Sequence, residues 1–191
     1  AAAGGDGRVH LWHVVSGRPA GSFVIPGSPI VYAVSSGPGG RFLAAACGNG
    51  WVYLWDMSIH QLAGAFAGPG SQGVNAVAFG PGGALLAAAD GNGQVYLWDV
   101  ATGRLAAVFA DPGSRGVNGV AFTPDGALLA AADDNGQVYL WDVATGGLAA
   151  VFADPGSRGV NAVAFAPGGD LLAAADGNGC TYLWQLSPSA P

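Results

Sequence analysis

Apolar residues along this chain come in short runs, each closed by glycine, proline, asparagine or aspartate. Between residues 74 and 116 four such runs follow one another: Val74–Phe79, Ala84–Ala89, Gln94–Val100 and Leu105–Ala110. Gly80-Pro81-Gly82-Gly83, Asp90-Gly91-Asn92-Gly93 and Ala101-Thr102-Gly103-Arg104 separate them, and Asp111-Pro112-Gly113-Ser114 ends the series. Proline, glycine and asparagine at such places break regular structure and turn the chain. Runs this short leave no room for helices of ordinary length. Leu105–Phe109 has the alanine content of a helix, but the turns on either side leave it only one strand's length. The pattern therefore predicts a four-stranded antiparallel meander. Asn92-Gly93 predicts a hairpin, since both residues tolerate positive φ. In the third run Val95 and Leu97 point one way, Tyr96 and Trp98 the other. Neither face is polar, so both must be covered. Stacking such sheets radially about an axis, as in a β-propeller, covers every one of them.

The unit repeats. Gln94-Val95-Tyr96-Leu97-Trp98-Asp99 returns as Gln137-Val138-Tyr139-Leu140-Trp141-Asp142, and looser copies end at Trp12-His13, Trp55-Asp56 and Trp184-Gln185. The five tryptophans Trp12, Trp55, Trp98, Trp141 and Trp184 are spaced 43 residues apart without insertion or deletion. The copy from Val117 to Gly159 differs from that of Val74 to Gly116 at five positions. The copy from Val31 to Gly73 is more diverged, carrying Tyr32, Ser35, Ser36, Trp51, Met57 and His60 at variable places. Regular repeats of this length mean one structural unit stacked on copies of itself. The expected fold class is all-β: one domain over 1–191, built as a β-propeller of four-stranded antiparallel blades. The blades fall at about 1–30 (partial), 31–73, 74–116, 117–159 and 160–191 (partial), about 4.5 blades or 18 strands. The first lacks its inner strand and the last its outer one, and these ends cannot make one ordinary blade. The expectation is either a piece of a longer propeller or an open arc completed by a second chain, because open edges and bare faces favour association. The start, Ala1-Ala2-Ala3-Gly4-Gly5-Asp6, reads as a cut into a longer chain.

Charge narrows the partners. Six arginines face twelve aspartates, with no lysine or glutamate, for a net charge of -6. That balance argues against a nucleic-acid or membrane surface that tracks phosphates. No apolar run reaches the ~18–20 residues of a membrane helix. The N-terminus has no basic region followed by an apolar one, so it does not read as a signal peptide, and a cytoplasmic location is expected. Cys47 and Cys180 occupy different repeat positions and are expected to be free thiols. With aspartate and arginine as the only acid and base, a bacterial source with a GC-rich genome is expected.

At these residues the chain resembles the WD-repeat β-propeller family, whose units run ~40–45 residues and close on Trp-Asp. The likeness rests on Val-Asn-Ala-Val-Ala-Phe, Pro-Gly-Gly or Pro124-Asp125-Gly126, Leu-Leu-Ala, Asn-Gly and Leu-Trp-Asp, and covers all but Ser187–Pro191. It implies a non-catalytic scaffold for protein–protein interaction. It also implies that the repeated tryptophans Trp12, Trp55, Trp98, Trp141 and Trp184 are structural packing anchors. Three departures stand out. Pro69-Gly70, Pro112-Gly113 and Pro155-Gly156 replace the family's Gly-His. Alanine, as at Ala87-Ala88 and Ala130-Ala131, replaces the second-strand serine. Asn49, Asn92, Asn135 and Asn178 replace the turn aspartate, which only Asp6 keeps. The family's His–Ser–Asp–Trp hydrogen-bond chain should therefore be absent, with small-residue packing in its place.

Turns between strands two and three, and between four and one, emerge on one rim of such a fold, the rim where the family most often binds partners. Tyr32, Asn75, Asn118 and Asn161 share one repeat position beside it. Trp51 follows the two-to-three turn. Arg115 and Arg158 lie in four-to-one turns near Asp111 and Asp154. These residues are the candidate partner-binding set, with Tyr32 and Trp51 as an aromatic corner able to anchor a peptide. The opposing reading has the asparagines tying the turn and the arginines paired with aspartate in solvent. No catalytic, metal or cofactor set emerges. Asp90-Gly91-Asn92-Gly93 lacks the far-end acid of a calcium loop, His10, His13 and His60 have no ligand spacing, and no phosphate cradle is followed by a helix and lysine. A sugar- or small-ligand-binding propeller with one site per blade is the alternative. The shortage of rim aromatics speaks against it.

Overall fold

The computed structural model describes residues 1–27, 29–110, 113, 115–153 and 156–186. Among the described residues eighteen strands form five antiparallel meanders in chain order. The first sheet holds β1 (Ala2–Ala3), β2 (Arg8–Trp12) and β3 (Pro19–Val24). The second holds β4 (Val31–Ser36), β5 (Phe42–Cys47), β6 (Trp51–Asp56) and β7 (Gln61–Ala67). The third holds β8 (Val74–Phe79), β9 (Leu85–Asp90), β10 (Gln94–Asp99) and β11 (Leu105–Ala110). The fourth holds β12 (Val117–Phe122), β13 (Leu128–Asp133), β14 (Gln137–Asp142) and β15 (Leu148–Ala153). The fifth holds β16 (Val160–Phe165), β17 (Leu171–Asp176) and β18 (Thr181–Gln185).

The strands follow the apolar runs closely. In the third, fourth and fifth sheets the second strand begins and ends one residue later than the hydrophobic pattern suggests, because it closes on a buried aspartate, Asp90, Asp133 or Asp176, rather than on the last alanine. The two-to-three turn also differs from expectation. Asn92 keeps a negative φ, and only Gly93 turns left-handed, at 83°. Side chains shape the turn instead. The Asn92 amide donates to the Asp90 carboxylate at 2.8 Å, and the Gln94 amide to the Asn92 side-chain oxygen at 3.2 Å.

Successive sheets bury four apolar clusters between them, one per junction. At the junction of the second and third sheets, Ala44, Ala46, Val52, Leu54 and Phe66 look forward. Val74, Val77, Leu86, Ala88, Tyr96 and Trp98 look back. The period-two alternation along each strand thus becomes forward-facing and backward-facing apolar sets. The strand-two alanines at positions 44–46 and 87–89 are wholly buried, so small-residue packing does let the sheets approach. At each junction the outer-strand phenylalanine meets the next sheet's tryptophan. Ring centroids lie 5.2 Å apart for Phe23–Trp55, 5.8 Å for Phe66–Trp98, 5.4 Å for Phe109–Trp141 and 5.3 Å for Phe152–Trp184.

The five tryptophans are not equivalent in space. Trp55, Trp98 and Trp141 are buried, at 3%, 2% and 3% exposure, and Trp184 is half-buried. Trp12 is 45% exposed, because among the described residues no phenylalanine of another sheet covers its ring. Val14 is exposed for the same reason, whereas its counterparts Met57, Val100 and Val143 pack into the clusters. At the other end Leu183 is 67% exposed where Leu54, Leu97 and Leu140 are buried. No buried cluster joins the fifth sheet to the first among the described residues, so the arc is open.

Candidate functional site

The rim carrying the two-to-three turns and the linkers between sheets is built from glycine. The Gly91 amide donates to the Gly73 carbonyl at 2.8 Å, and the Gly177 amide to the Gly159 carbonyl, also at 2.8 Å. A Cβ on Gly73 would meet the Gly48 carbonyl oxygen at 3.5 Å, and one on Gly159 the Asp134 carbonyl oxygen at 3.1 Å. Gly73 and Gly159 also sit at φ 142° and 101°. Backbone approaches backbone from one sheet to the next at these glycines.

A polar tie fastens the linkers before the third and fifth sheets, in a form that differs from the family's chain. Ser71 donates through Oγ to the carboxylate of Asp90, which also accepts from the Gln72 amide at 3.4 Å. Ser157 does the same to Asp176, joined by the Arg158 amide at 3.3 Å and the Asn178 amide at 2.7 Å. Both aspartates are buried. Burial opposes ionisation of Asp176, but the hydrogen bonds from Ser157, Asn178 and Arg158 outweigh it and hold the carboxyl below its usual range. A second tie uses tyrosine. The Tyr96 hydroxyl lies 2.7 Å from the Pro69 carbonyl and 2.6 Å from the Gln94 side-chain oxygen, and accepts from Asn92 at 3.1 Å. Burial raises its pKa above the usual tyrosine range, and the Asp90 charge adds to the rise. Small-residue packing therefore does not act alone. Serine–aspartate and tyrosine–proline contacts take over where Gly-His is missing.

Of the predicted site residues, the asparagines reach the neighbouring sheet. Asn75 donates to the Val117 carbonyl at 2.9 Å, and Asn118 to the Val160 carbonyl at 3.1 Å and to Asp134 at 2.6 Å. Asn161 is exposed in the fifth sheet. Arg115 and Arg158 are exposed on the linkers, whereas Asp111 and Asp154 lie outside the described residues. Tyr32 is 53% exposed with its ring against Gly48, and Trp51 is 42% exposed beside Tyr53. Ile30, which the sequence pattern did not single out, adjoins them at 50% exposure, its carbonyl accepting from the Gly48 amide at 2.9 Å. A glycine stands at its position in the other complete units, as Gly73 and Gly116, and that departure is the signal that could have found it.

The opposite rim carries two grooves of about 200 and 180 Å³, at equivalent places between adjacent sheets. Pro81, Leu85 and Phe122 line one, and Pro38, Phe42 and Phe79 the other. They are small and mostly apolar, and neither gathers acid–base pairs. Among the described residues no three His, Cys, Asp or Glu side chains are placed to hold a metal ion, and no helix is long and apolar enough to cross a membrane.

Five stacked β-meanders, each with Leu-Trp near the end of one strand, define a repeat propeller unit. The chain belongs to the family described as WD domain, G-beta repeat (WD40), which matches residues 18–56, 60–99, 103–142 and 148–185. Each match opens at the outer strand of one sheet and closes at the third strand of the next, one strand out of phase with the sheets themselves. A comparison with curated proteins gives no match. WD40 repeats generally mediate protein interactions, and the proteins that carry them are typically non-catalytic scaffolds.

Proposed function

We propose that this chain is a non-catalytic scaffold that holds a protein or peptide partner on its glycine-built rim. Tyr32, Trp51, Asn75, Asn118, Asn161, Arg115 and Arg158 form the contact set. The observation that carries this reading is the exposure of Tyr32 and Trp51 on that rim, at 53% and 42%. Large aromatics with one face free are the residues that most often anchor a partner. A site per unit for sugars fits less well, because Gln94 and Gln137 stand where Trp51 stands in the second sheet. The free thiols of Cys47 and Cys180 suit a reducing, cytoplasmic compartment.

Exposure at the two ends supports a second contact. Trp12 and Leu183 are 45% and 67% exposed at positions buried elsewhere, so end sheets of two copies have matching apolar faces to cover. Native mass spectrometry of the purified chain, run beside peptide and glycan arrays, tests both readings. Peptide binders without glycan binders, and a discrete oligomer, are the expected results. Glycan binding alone would overturn the scaffold reading, and a clean monomer would overturn the end-to-end contact.

A further inference from the structure

The two grooves on the opposite rim adjoin each other. Gly82 lines both, so the turn from Gly80 to Gly83 is the wall between them. The repeat builds them alike. A proline from one sheet, Pro38 or Pro81, lies against a left-handed glycine of the next, Gly83 or Gly126, where a Cβ would meet it at 3.3 or 3.1 Å. The phenylalanine that ends the next sheet's first strand, Phe79 or Phe122, completes the lining. Both phenylalanines are half-buried, so each groove offers part of an aromatic ring.

The apolar walls repeat, but the charges beside them do not. Arg41 lines the groove of Pro38, at a position that holds Ala84, Ala127 and Asp170 in the following units. Its Nε donates to Asp56 at 3.2 Å, its guanidinium carbon stands 4.9 Å from the centre of the Phe42 ring, and its side chain is 67% exposed. Asp125 lines the groove of Pro81, at a position that holds glycine in the other units, as Gly39, Gly82 and Gly168. It accepts from the Thr123 hydroxyl at 2.6 Å and from the Ala127 amide at 3.0 Å. These bonds, Thr123 first, hold its carboxyl below the usual range and keep it an anion. Two adjoining apolar grooves therefore carry a cation beside one and an anion beside the other, each placed there by a single unit's departure from the repeat.

We propose that the two grooves form one track for a polyproline-II segment of a partner protein, which seats residues i and i+3 in them, with an acidic residue beside Arg41 and a basic one beside Asp125. The track is a second surface, on the rim away from Tyr32 and Trp51. Its spacing selects the conformation of the occupant. Sheets packed face to face stand about 10 Å apart, and equivalent grooves on successive sheets are offset by the same step. Polyproline II rises about 3.1 Å per residue with three residues per turn, so i and i+3 share a face about 9 Å apart. Residues sharing a face of a β-strand fall about 7 or 13 Å apart. An α-helix, about 10–12 Å across, is too wide for grooves of about 200 and 180 Å³. Aromatic-lined grooves suit proline-rich segments, whose conformation is already formed before binding. The opposite charges at the two grooves fix which end of the segment lies where.

The test uses synthetic peptides of about 10 residues, measured by fluorescence anisotropy against the folded chain. Their centres are Pro-x-x-Pro, the same with both prolines changed to Ser, or alternating Val and Thr, and their two ends are Asp and Arg, both Asp or both Arg. Peptides with a Pro-x-x-Pro centre and one end of each charge are expected to bind, about two- to five-fold tighter than those with like ends, the range of an exposed ion pair. Gly82→Trp fills both grooves. Gly82 is exposed, its φ is not left-handed, and a Cβ there meets nothing within 4 Å, so the fold accepts the side chain. That variant should bind at least about 30-fold more weakly, the factor lost with a binding hot spot, at an unchanged unfolding midpoint. Arg41→Ala and Asp125→Gly restore residues that other units carry, and each should erase the preference for one charged end. Trp51→Gln should leave these peptides bound. If Trp51→Gln abolishes binding while Gly82→Trp does not, the peptides sit on the glycine-built rim and the track is wrong. If no Pro-x-x-Pro peptide binds, or the Val-Thr centre binds tighter, the proposal is overturned and the reading of the other rim is untouched.

Discussion

Trp98→Ala is expected to lower the stability of this chain by about 3–5 kcal/mol, the usual range for deleting a buried tryptophan. Trp98 is 2% exposed and lies between the Phe66 ring of the preceding sheet and Tyr96 of its own, at 5.8 and 5.6 Å. Removing it opens a cavity at the junction of two sheets that the fixed backbone ladder of β9, β10 and β11 cannot collapse to fill. Trp12 serves as the internal control. It holds the same repeat position but is 45% exposed, so Trp12→Ala should cost less than about 1 kcal/mol. Urea unfolding of the two variants beside the wild type measures the difference. Equal losses would mean that the tryptophans are not junction anchors.

Asp90→Ala is expected to cost about 2–3 kcal/mol, from a different cause. The Asp90 carboxylate is buried and accepts from the Ser71 hydroxyl and from the Gln72 and Asn92 amides. Alanine keeps none of these bonds, and donors left unsatisfied cost more than the bonds themselves are worth. The linker from β7 to β8 would also lose its hold on the third sheet. Amide hydrogen exchange should therefore rise at Ser71–Gly73 before it rises in β10, and exchange unchanged in that linker would contradict the clamp.

Much of the fold was legible because its signals are local and repeated. Turn residues recur at fixed offsets, apolar runs are one strand long, and the 43-residue spacing of tryptophan shows that each unit stacks on its copies. The environment of those tryptophans was not legible. Trp12 and Trp98 sit in the same motif, but burial depends on whether a phenylalanine of a preceding sheet is there to cover the ring. The serine–aspartate clamp was missed for a related reason. Ser71 and Asp90 are nineteen residues apart, in what reads as a loop and the end of an alanine strand, and only the fold brings them together. The recurrence of the same pair as Ser157 and Asp176 was the available hint. The asparagine positions could be read from sequence either as ties or as a binding ring. Asn75 and Asn118 spend their amides on the next sheet's carbonyls, whereas Tyr32, Trp51, Arg115, Arg158 and Asn161 are exposed.

One measurement reaches the stacking of the sheets and the exposed rim aromatic together: oxidative footprinting of the native chain, with each tryptophan read separately by mass spectrometry. Trp12 and Trp51, at 45% and 42% exposure, should be modified readily, and Trp55, Trp98 and Trp141 should be protected until the chain unfolds. A native chain in which Trp98 reacts as fast as Trp12 would contradict the junction anchors, and one in which Trp51 is protected would contradict the exposed aromatic on the rim.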